Sequence, residues 1–199
     1  MLDIDTGGGE FLLSLAPPPG QSIAIESYPP NVGLARQRLA PLGVEVHEVA
    51  VGAAWPFGDE SFDLILNRHG HLNAAEIARC LKPGGVFLTQ QVGSDNLLDL
   101  AAVFGDTAAR PANHPSIVAA DLAARGLTIT RAATWTGRQT FSDVGALVYF
   151  LKAIPWVVHG FGVEKHAAVL ETLQARIDGG EPLDFSVERF LIEAEKPEA

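Results

Sequence analysis

Sulfur-containing residues are scarce in this chain of 199 residues, which has one cysteine and one methionine. A single cysteine excludes an internal disulfide and suits a protein of the reducing cytoplasm. Cys80 lies in a predicted helix, where we expect a small core residue. The six histidines include no His-x-x-x-His spacing and no paired cysteines accompany them, so we predict no metal site.

Positive charge is also scarce. Lysine and arginine together number 14 against 24 aspartates and glutamates, which leaves a formal net charge of −10. No cluster of basic residues is visible, although phosphate contacts need such clusters. We therefore expect no nucleic-acid partner and no binding to anionic membrane surfaces.

Long apolar runs are absent as well. The most apolar stretch, residues 145–158, contains Lys152 and Pro155 and is shorter than the roughly 18 residues that a membrane span needs. Asp3 and Asp5 interrupt the N-terminus, which is therefore unlike a signal peptide. These absences predict a cytoplasmic protein without a membrane partner. The composition, 47% hydrophobic, is enough for one globular domain over residues 1–199.

The most informative feature that is present is the run Leu2-Asp3-Ile4-Asp5-Thr6-Gly7-Gly8-Gly9-Glu10. Apolar and acidic residues end a predicted strand, three glycines make a turn, and residues 11–13 begin a helix. Turns of this kind bring backbone N–H groups and a helix N-terminus against a ligand. The run therefore predicts a ligand site at the end of the first strand.

Strand and helix signals alternate through the first half of the chain. Four further strands are predicted at residues 22–26, 44–49, 62–67 and 86–92. One helix is predicted to reach about residue 39, and another is predicted from Asn73 to Leu81, where Asn73 and Glu76 resemble a capping box. The segment 82–85, Lys-Pro-Gly-Gly, is expected to end that second helix. This β-α-β-α order predicts an α/β fold, a parallel sheet with helices on both faces.

The second half is less regular. Helices are predicted at residues 95–104, 116–125, 143–153 and 164–177, and strands at residues 127–130 and 186–194. Four aromatic residues of this half either line a substrate pocket or, as we expect by default, pack in the core. They are Trp135, Tyr149, Phe150 and Trp156.

An acid at the end of the second strand limits the classes of ligand that the site could bind. Glu26 lies 19 residues after Gly7, close to the spacing at which an acid accepts the hydroxyls of an adenosine ribose. A dinucleotide and S-adenosylmethionine both contain this group. Dinucleotide turns have the spacing G-x-G-x-x-G, which this run lacks, and the carboxylates of Asp3 and Asp5 oppose a pyrophosphate. The ammonium and sulfonium groups of S-adenosylmethionine suit such acids.

These segments resemble the class I S-adenosylmethionine-dependent methyltransferases, specifically the small-domain, type 11-like group. The matching segments are LDIDTGGGE, AIES, WPFGDESFDLILNRHG and ARCLKPGGVFLTQQVG, which together cover about residues 2–93. The resemblance implies a Rossmann-like, doubly wound, mostly parallel sheet of seven strands. It also implies a cofactor-binding half at residues 1–93 and a substrate-side half at residues 94–199. Residues 105–184 hold the irregular part of the chain, and we expect them to build the acceptor pocket.

The resemblance implies roles for individual residues. Asp3 would hold the methionine amino group, Gly7 and Gly9 would let the backbone approach the methionine part, and Glu26 would bind the ribose. The remaining cofactor-binding predictions fall in three places. Asp5 and Thr6 lie in the first motif. Ser27, Val51 and Gly52 would lie beside the adenine, and Asn67 would lie near the methyl donor.

The chain also departs from the family pattern. Asp5 stands where the family usually has the first glycine of its motif. Val51 stands where an acid often binds the adenine amino group, so the adenine would rely on backbone groups and packing. The family usually has a helix before the first strand, so we expect the chain to be shortened at its N-terminus and the reading frame to extend upstream.

The predicted function is methyl transfer to a small-molecule acceptor, because the acidic charge argues against RNA or DNA. Methyl transfer needs mainly alignment of the acceptor and exclusion of water, with His69 as the candidate catalytic base. One alternative is a cofactor-binding or degenerate protein without turnover. A nicotinamide-dependent oxidoreductase and an RNA methyltransferase are further alternatives. The acceptor and the oligomeric state stay open.

Overall fold

The structure, a computed structural model, describes residues 1–110 and 112–198. Strands and helices alternate through the first half of this part of the chain. The strands are β1 Leu2–Ile4, β2 Ile23–Glu26, β3 Glu45–Glu48, β4 Phe62–Arg68, β5 Leu81–Val92, β6 Thr128–Phe141 and β7 Leu183–Glu195. The α-helices are α1 Glu10–Ser14, α2 Pro29–Leu39, α3 Ala74–Cys80, α4 Leu98–Val103, α5 Pro115–Ala124, α6 Val144–Ala153 and α7 Ala167–Asp178. A short 3₁₀-helix, Ala40–Leu42, follows α2.

The strands form one seven-stranded sheet in the order β3-β2-β1-β4-β5-β7-β6. β1 pairs in parallel with both β2 and β4, so that Ile4 lies opposite Ile25 on one side and Asn67 on the other. From β1 the strand order runs through β2 and β3 towards one edge of the sheet, and then through β4 and β5 towards the other edge. Ligands of such sheets bind at the carboxyl ends of the strands on either side of this change in strand order. The predicted mostly parallel, seven-stranded α/β fold is confirmed.

The chain divides into two compact units. The first unit comprises residues 1–91, 114–133 and 190–199, and the second comprises residues 92–113 and 134–189. The first unit has a core around the fully buried Leu2, Ile65 and Phe87. The second unit has its own core, in which Leu100 and Leu147 are fully buried. Among the described residues, no helix is both long and apolar enough to cross a membrane.

Several element boundaries differ from those predicted. β5 begins at Leu81, before the segment predicted as a helix-ending turn, because Leu81 already pairs with Phe62 of β4. Gly84, with a φ of +70°, lies within the strand and its N–H donates to the carbonyl of Lys196. β6 is 14 residues long, whereas the prediction covered only residues 127–130. Most of β6 is exposed on both faces, so its sequence has no alternation of apolar and polar residues to reveal it.

The default expectation of core packing is wrong for three of the four aromatic residues in the second half. Tyr149 is 78% exposed, Trp156 is 64% exposed and Trp135 is 58% exposed. Phe150 is partly buried against the core of the second unit. Burial within a short helix such as α6 falls on one stripe, which Leu147 and Leu151 occupy and Tyr149 does not.

Candidate functional site

The glycine turn connects β1 to α1 with a left-handed backbone. Gly7 has a φ of +64° and Gly9 a φ of +84°. A Cβ added to Gly7 would meet no atom of the described residues within 4 Å, so the turn is open at that residue. A Cβ added to Gly9 would come within 3.0 Å of the Leu39 side chain, so Gly9 permits close packing of the turn against α2. The two glycines that were predicted to approach a ligand therefore have different surroundings.

Glu26 connects the end of β2 to this turn. Its carboxylate is buried, with the residue 3% exposed, and each oxygen accepts a backbone hydrogen bond. Oε2 accepts from the N–H of Gly7 at 2.6 Å, and Oε1 accepts from the N–H of Tyr28 at 2.7 Å. The two N–H groups hold the carboxylate in one orientation, and each oxygen keeps a further lone pair for a ligand hydroxyl.

Asp3, at the centre of β1, is a buried acid with other acids nearby. It is 3% exposed, and its pKa is raised from 3.8 to about 6, chiefly by burial, with smaller contributions from the nearby carboxylates of Asp5 and Glu26 and an opposing one from the Thr6 side chain. The neighbouring Thr6 hydroxyl is buried and has no hydrogen-bond partner within the described chain. Buried acids and an unpaired hydroxyl at one turn favour a ligand that is positively charged and donates hydrogen bonds.

Asp5 joins the glycine turn to the loop after β4. Its φ is +52°, which a residue with a side chain rarely adopts and which explains why a glycine is usual there. Its Oδ2 accepts hydrogen bonds from the backbone N–H of His71 at 2.7 Å and from the ring Nδ1 at 3.3 Å. The side chain of Asp5 therefore supports the loop that follows β4.

Asn67, at the end of β4, holds neighbouring strands together. Its Nδ2 donates to the carbonyl of Ile4 at 3.3 Å, and its Oδ1 accepts from the Thr89 hydroxyl at 2.9 Å and from Gln91 Nε2 at 2.5 Å. Gln91 also donates to the carbonyl of Gly70 in the neighbouring loop. The Asn67 amide is 3% exposed and acts within the protein as a cross-strand brace.

Two cavities lie in the first unit beside these residues. One, of about 220 Å³, lies at the glycine turn and is lined by Asp3, Asp5, Thr6 and Gly7 among others. The other, of about 320 Å³, is lined by predicted residues of three neighbouring segments. They are Asp5, Ser27, Val51 and Gly52. Asp5 lines both cavities, so the structure brings seven of the ten predicted cofactor-binding residues to this pair of cavities.

The three other predicted cofactor residues and the predicted base lie outside both linings. Gly9, Glu26 and Asn67 support the turn and the strand ends. His69 is exposed on a loop with a φ of +61°, and its backbone N–H donates to the carbonyl of Gln90 at 2.9 Å. His71, two residues later, lines the larger cavity instead.

The lining residues that sequence reasoning did not single out include one aromatic residue and three charged ones. Phe11 and Arg68 line the smaller one, where the Arg68 guanidinium lies 4.6 Å from the centre of the Phe11 ring. Asp121, inside α5, and Arg125, the residue after that helix, line the larger one. No motif marks these residues. Phe11 is predicted only as part of a helix start, Arg68 follows the strand predicted at residues 62–67, and a charged residue on a helix, such as Asp121, is ordinarily part of a solvated face.

Comparison with known proteins finds one protein family and a set of solved structures that this chain resembles. Residues 2–89 match the model of a methyltransferase domain family, Methyltransf_11. The fold of the whole chain is that of the class I S-adenosylmethionine-dependent methyltransferases, as the resemblance predicted. The methyltransferase domain family implies use of S-adenosylmethionine.

Solved structures share this methyltransferase fold. The YcgJ protein of Bacillus subtilis aligns with a TM-score of 0.69 and 21% identity, over 100% of this chain and 92% of that chain. A Bacillus halodurans protein assigned as a methyltransferase aligns with a TM-score of 0.69 and 20% identity, over 98% and 91% of the two chains. A Haemonchus contortus phosphoethanolamine N-methyltransferase, crystallised with S-adenosylhomocysteine, has a TM-score of 0.56 and 16% identity, over 100% and 48%. No curated protein sequence matches this chain.

The residues present fit the cofactor that the family implies. Within the described residues, the buried Thr6 hydroxyl lacks a hydrogen-bond partner and Gly7 leaves open space where a side chain would stand. The buried carboxylates of Asp3 and Glu26 lie at the same turn. A ligand that carries an ammonium and a ribose would supply hydrogen-bond donors to all of these acceptors. These hydrogen-bond acceptors therefore suit S-adenosylmethionine.

Proposed function

We propose that this chain transfers a methyl group from S-adenosylmethionine to a small-molecule acceptor. The observation that carries the proposal is the pairing of Glu26 with the glycine turn, a buried carboxylate oriented by the N–H of Gly7 beside the buried Asp3. Acids placed in this way repel the phosphates of a nucleotide and attract a cationic ligand with ribose hydroxyls.

The two cavities of the first unit suggest how the cofactor would be divided between them. We assign the methionine part to the smaller cavity, where Asp3 would accept from the amino group and the open backbone at Gly7 and Thr6 would lie beside it. We assign the adenosine to the larger cavity, where Ser27, Val51 and Gly52 would surround the adenine. Glu26 would accept the ribose hydroxyls, and Gly9 and Asn67 would support the turn and the strand end near the methyl donor.

The bound cofactor supplies an activated methyl group on a sulfonium. The residues of this chain would hold the cofactor, orient the acceptor and exclude water, which are the main requirements of such a transfer. We keep His69 as the candidate base for an acceptor with a weakly acidic proton. We also keep residues 1–93 as the cofactor-binding half, residues 94–199 as the substrate-side half, and a cytoplasmic location as proposals.

Calorimetric titration with S-adenosylhomocysteine tests this proposal without knowledge of the acceptor. We expect the unmodified chain to bind, and Glu26→Gln to weaken binding by about tenfold or more, because a charge-assisted hydrogen bond contributes roughly 1.5–3 kcal/mol. Glu48→Gln is the matched control, since Glu48 ends the neighbouring β3 and is exposed. We expect that control to bind like the unmodified chain.

Two outcomes would contradict the proposal. The first is no heat of binding at millimolar S-adenosylhomocysteine with a chain shown to be folded by circular dichroism. The second is tighter binding of NAD than of S-adenosylhomocysteine, which would favour the oxidoreductase alternative.

A further inference from the structure

The second unit has a cavity of its own, whose lining lies outside the residues that the family model matches. It has a volume of about 320 Å³ and lies beside the end of β5 and the segment after α6. Its lining contains two basic side chains, Arg110 and His159, and no acidic one. In a chain with 24 acids and 14 lysines and arginines, a lining with only basic ionisable groups marks a place for an anion.

Arg110 is held in place but has no counter-ion among the described residues. Its two terminal nitrogens donate to the backbone carbonyls of Asn96 at 2.9 Å and Val157 at 2.8 Å. No carboxylate of the described chain lies within salt-bridge distance of it. A guanidinium has five N–H donors, so this partly buried cation retains donors for a planar anion.

His159 is oriented by a carboxylate outside the lining. Its Nδ1 lies 2.8 Å from Oδ2 of Asp106, and its backbone N–H donates to the same oxygen at 2.7 Å. The other oxygen of Asp106 accepts from the N–H of Ala108 at 2.9 Å. These bonds hold the pKa of Asp106 well below its usual range, so its charge is satisfied by its neighbours. They also fix the imidazole ring in one orientation, with its Nε2 left for another partner.

Trp156 adds an aromatic surface to the same lining. Its side chain is 64% exposed, whereas the neighbouring Val157 is 1% exposed and anchors the segment in the core. Exposure of a large aromatic side chain costs solvation free energy, and exposed aromatics beside polar groups are typical of ligand sites. An indole next to a guanidinium suits a ligand that has a flat ring and an acid group.

We propose that this cavity binds a small aromatic carboxylate. Arg110 binds the carboxylate through its remaining N–H groups, His159 contributes a hydrogen bond through Nε2, and the ring of the ligand packs against Trp156. This inference does not rest on the proposed function, because all of its residues lie in the second unit and no cofactor takes part.

Benzoate tests the inference as a probe, with benzamide as its uncharged isostere. We expect benzoate to change the tryptophan fluorescence of the full chain and to bind at least about tenfold more tightly than benzamide, as a charge-assisted bond predicts. Arg110→Gln should remove this preference. Arg131→Gln, an exposed arginine outside the cavity, is the matched control and should keep it.

A second pair of variants tests the aromatic contact. Trp156→Leu should weaken benzoate binding measured by calorimetry, whereas Trp135→Leu, another exposed tryptophan outside this cavity, should not. Because Trp156 is exposed, we expect Trp156→Leu to fold. It therefore tests the inference even if Arg110→Gln does not fold. Equal binding of benzoate and benzamide, or equal losses in a variant and its control, would overturn the inference. Titration with S-adenosylhomocysteine is a separate measurement, so failure of either proposal is distinguishable from failure of the other.

Discussion

The carboxylate of Glu26 accepts a 2.6 Å hydrogen bond from the backbone N–H of Gly7, although 19 residues separate the two. The parallel pairing of β1 with β2, which sets Ile4 opposite Ile25, brings them together. The spacing between the glycine turn and the acid is therefore the length of chain needed to go through α1 and return along β2. A ligand at the turn would meet an acid whose orientation is already determined by the backbone.

Asp3 should make the fold less stable as the pH rises. Its folded-state pKa is raised from 3.8 to about 6, so the folded protein retains a proton that the unfolded chain loses between these values. The stabilisation is complete below about pH 4 and is lost as the pH rises through about 6. We expect the free energy of unfolding of the unmodified chain, relative to Asp3→Asn, to fall by about 3 kcal/mol over this window.

Urea unfolding at a series of pH values measures this difference. Asp63→Asn is a suitable control, because Asp63 is exposed and its pKa is lowered, chiefly by its hydrogen bond to Lys82. That control should show no loss of relative stability between pH 4 and pH 6. A flat difference between the unmodified chain and Asp3→Asn would show that Asp3 does not titrate as described.

Replacement of Asp5 should reveal its unusual backbone. Both Asp5→Gly and Asp5→Ala remove the hydrogen bonds to His71, but only glycine adopts a φ of +52° without strain. We expect the glycine variant to be more stable than the alanine variant by about 1 kcal/mol, measured by thermal unfolding. At Asp121, inside α5, the order should reverse by a similar amount, because alanine favours a helix. If the glycine and alanine variants had the same order of stability at both positions, the backbone at Asp5 would not be strained.

Asn67 should contribute to stability as a buried brace. Asn67→Ala removes the acceptor of Thr89 and Gln91 and the donor to Ile4, so we expect a loss of about 1–3 kcal/mol in the free energy of unfolding. Asn31→Ala in α2 should change stability by less than about 0.5 kcal/mol. Chemical denaturation compares the two, and equal effects would show that the amide network contributes nothing specific.

Arg79 should control the loop between β3 and β4. Its guanidinium donates to the carbonyls of Trp55 and Phe57 and to the carboxylates of Asp59 and Glu76. Arg79→Lys supplies one ammonium in place of this planar fork, so we expect a loss of about 1–2 kcal/mol in stability.

Limited proteolysis provides a local measure of the same change. Residues 55–61 should be cleaved faster in Arg79→Lys than in the unmodified chain. Lys82→Ala, which removes only an exposed ion pair with Asp63, should leave the cleavage rate unchanged. Unchanged cleavage in both variants would contradict the role given to Arg79.

Local signals predicted much of the cofactor-side architecture. The prolines before Asn31 begin α2 at Pro29, and Asn73 caps α3 by accepting from the N–H of Glu76 at 3.2 Å. The predicted capping box is only half formed, because the side chain of Glu76 binds the Trp55 N–H and Arg79 instead of turning back to Asn73. The sequence around Glu76 does not indicate which hydrogen-bond partner its side chain binds, because Trp55 lies far from it along the chain.

The sequence by itself determined the alternation of strands and helices, the glycine turn and the acid that follows it, because these depend on residues close together in the chain. Only the tertiary structure decided that Asp5 and His71 are hydrogen-bonded, that Asn67 braces Ile4 and Gln91, and that β6 extends to Phe141. These contacts join residues far apart in sequence, and strand pairing rather than local preference creates them. The free energy that selects them comes from burial and from hydrogen bonds that exist only after the sheet has formed.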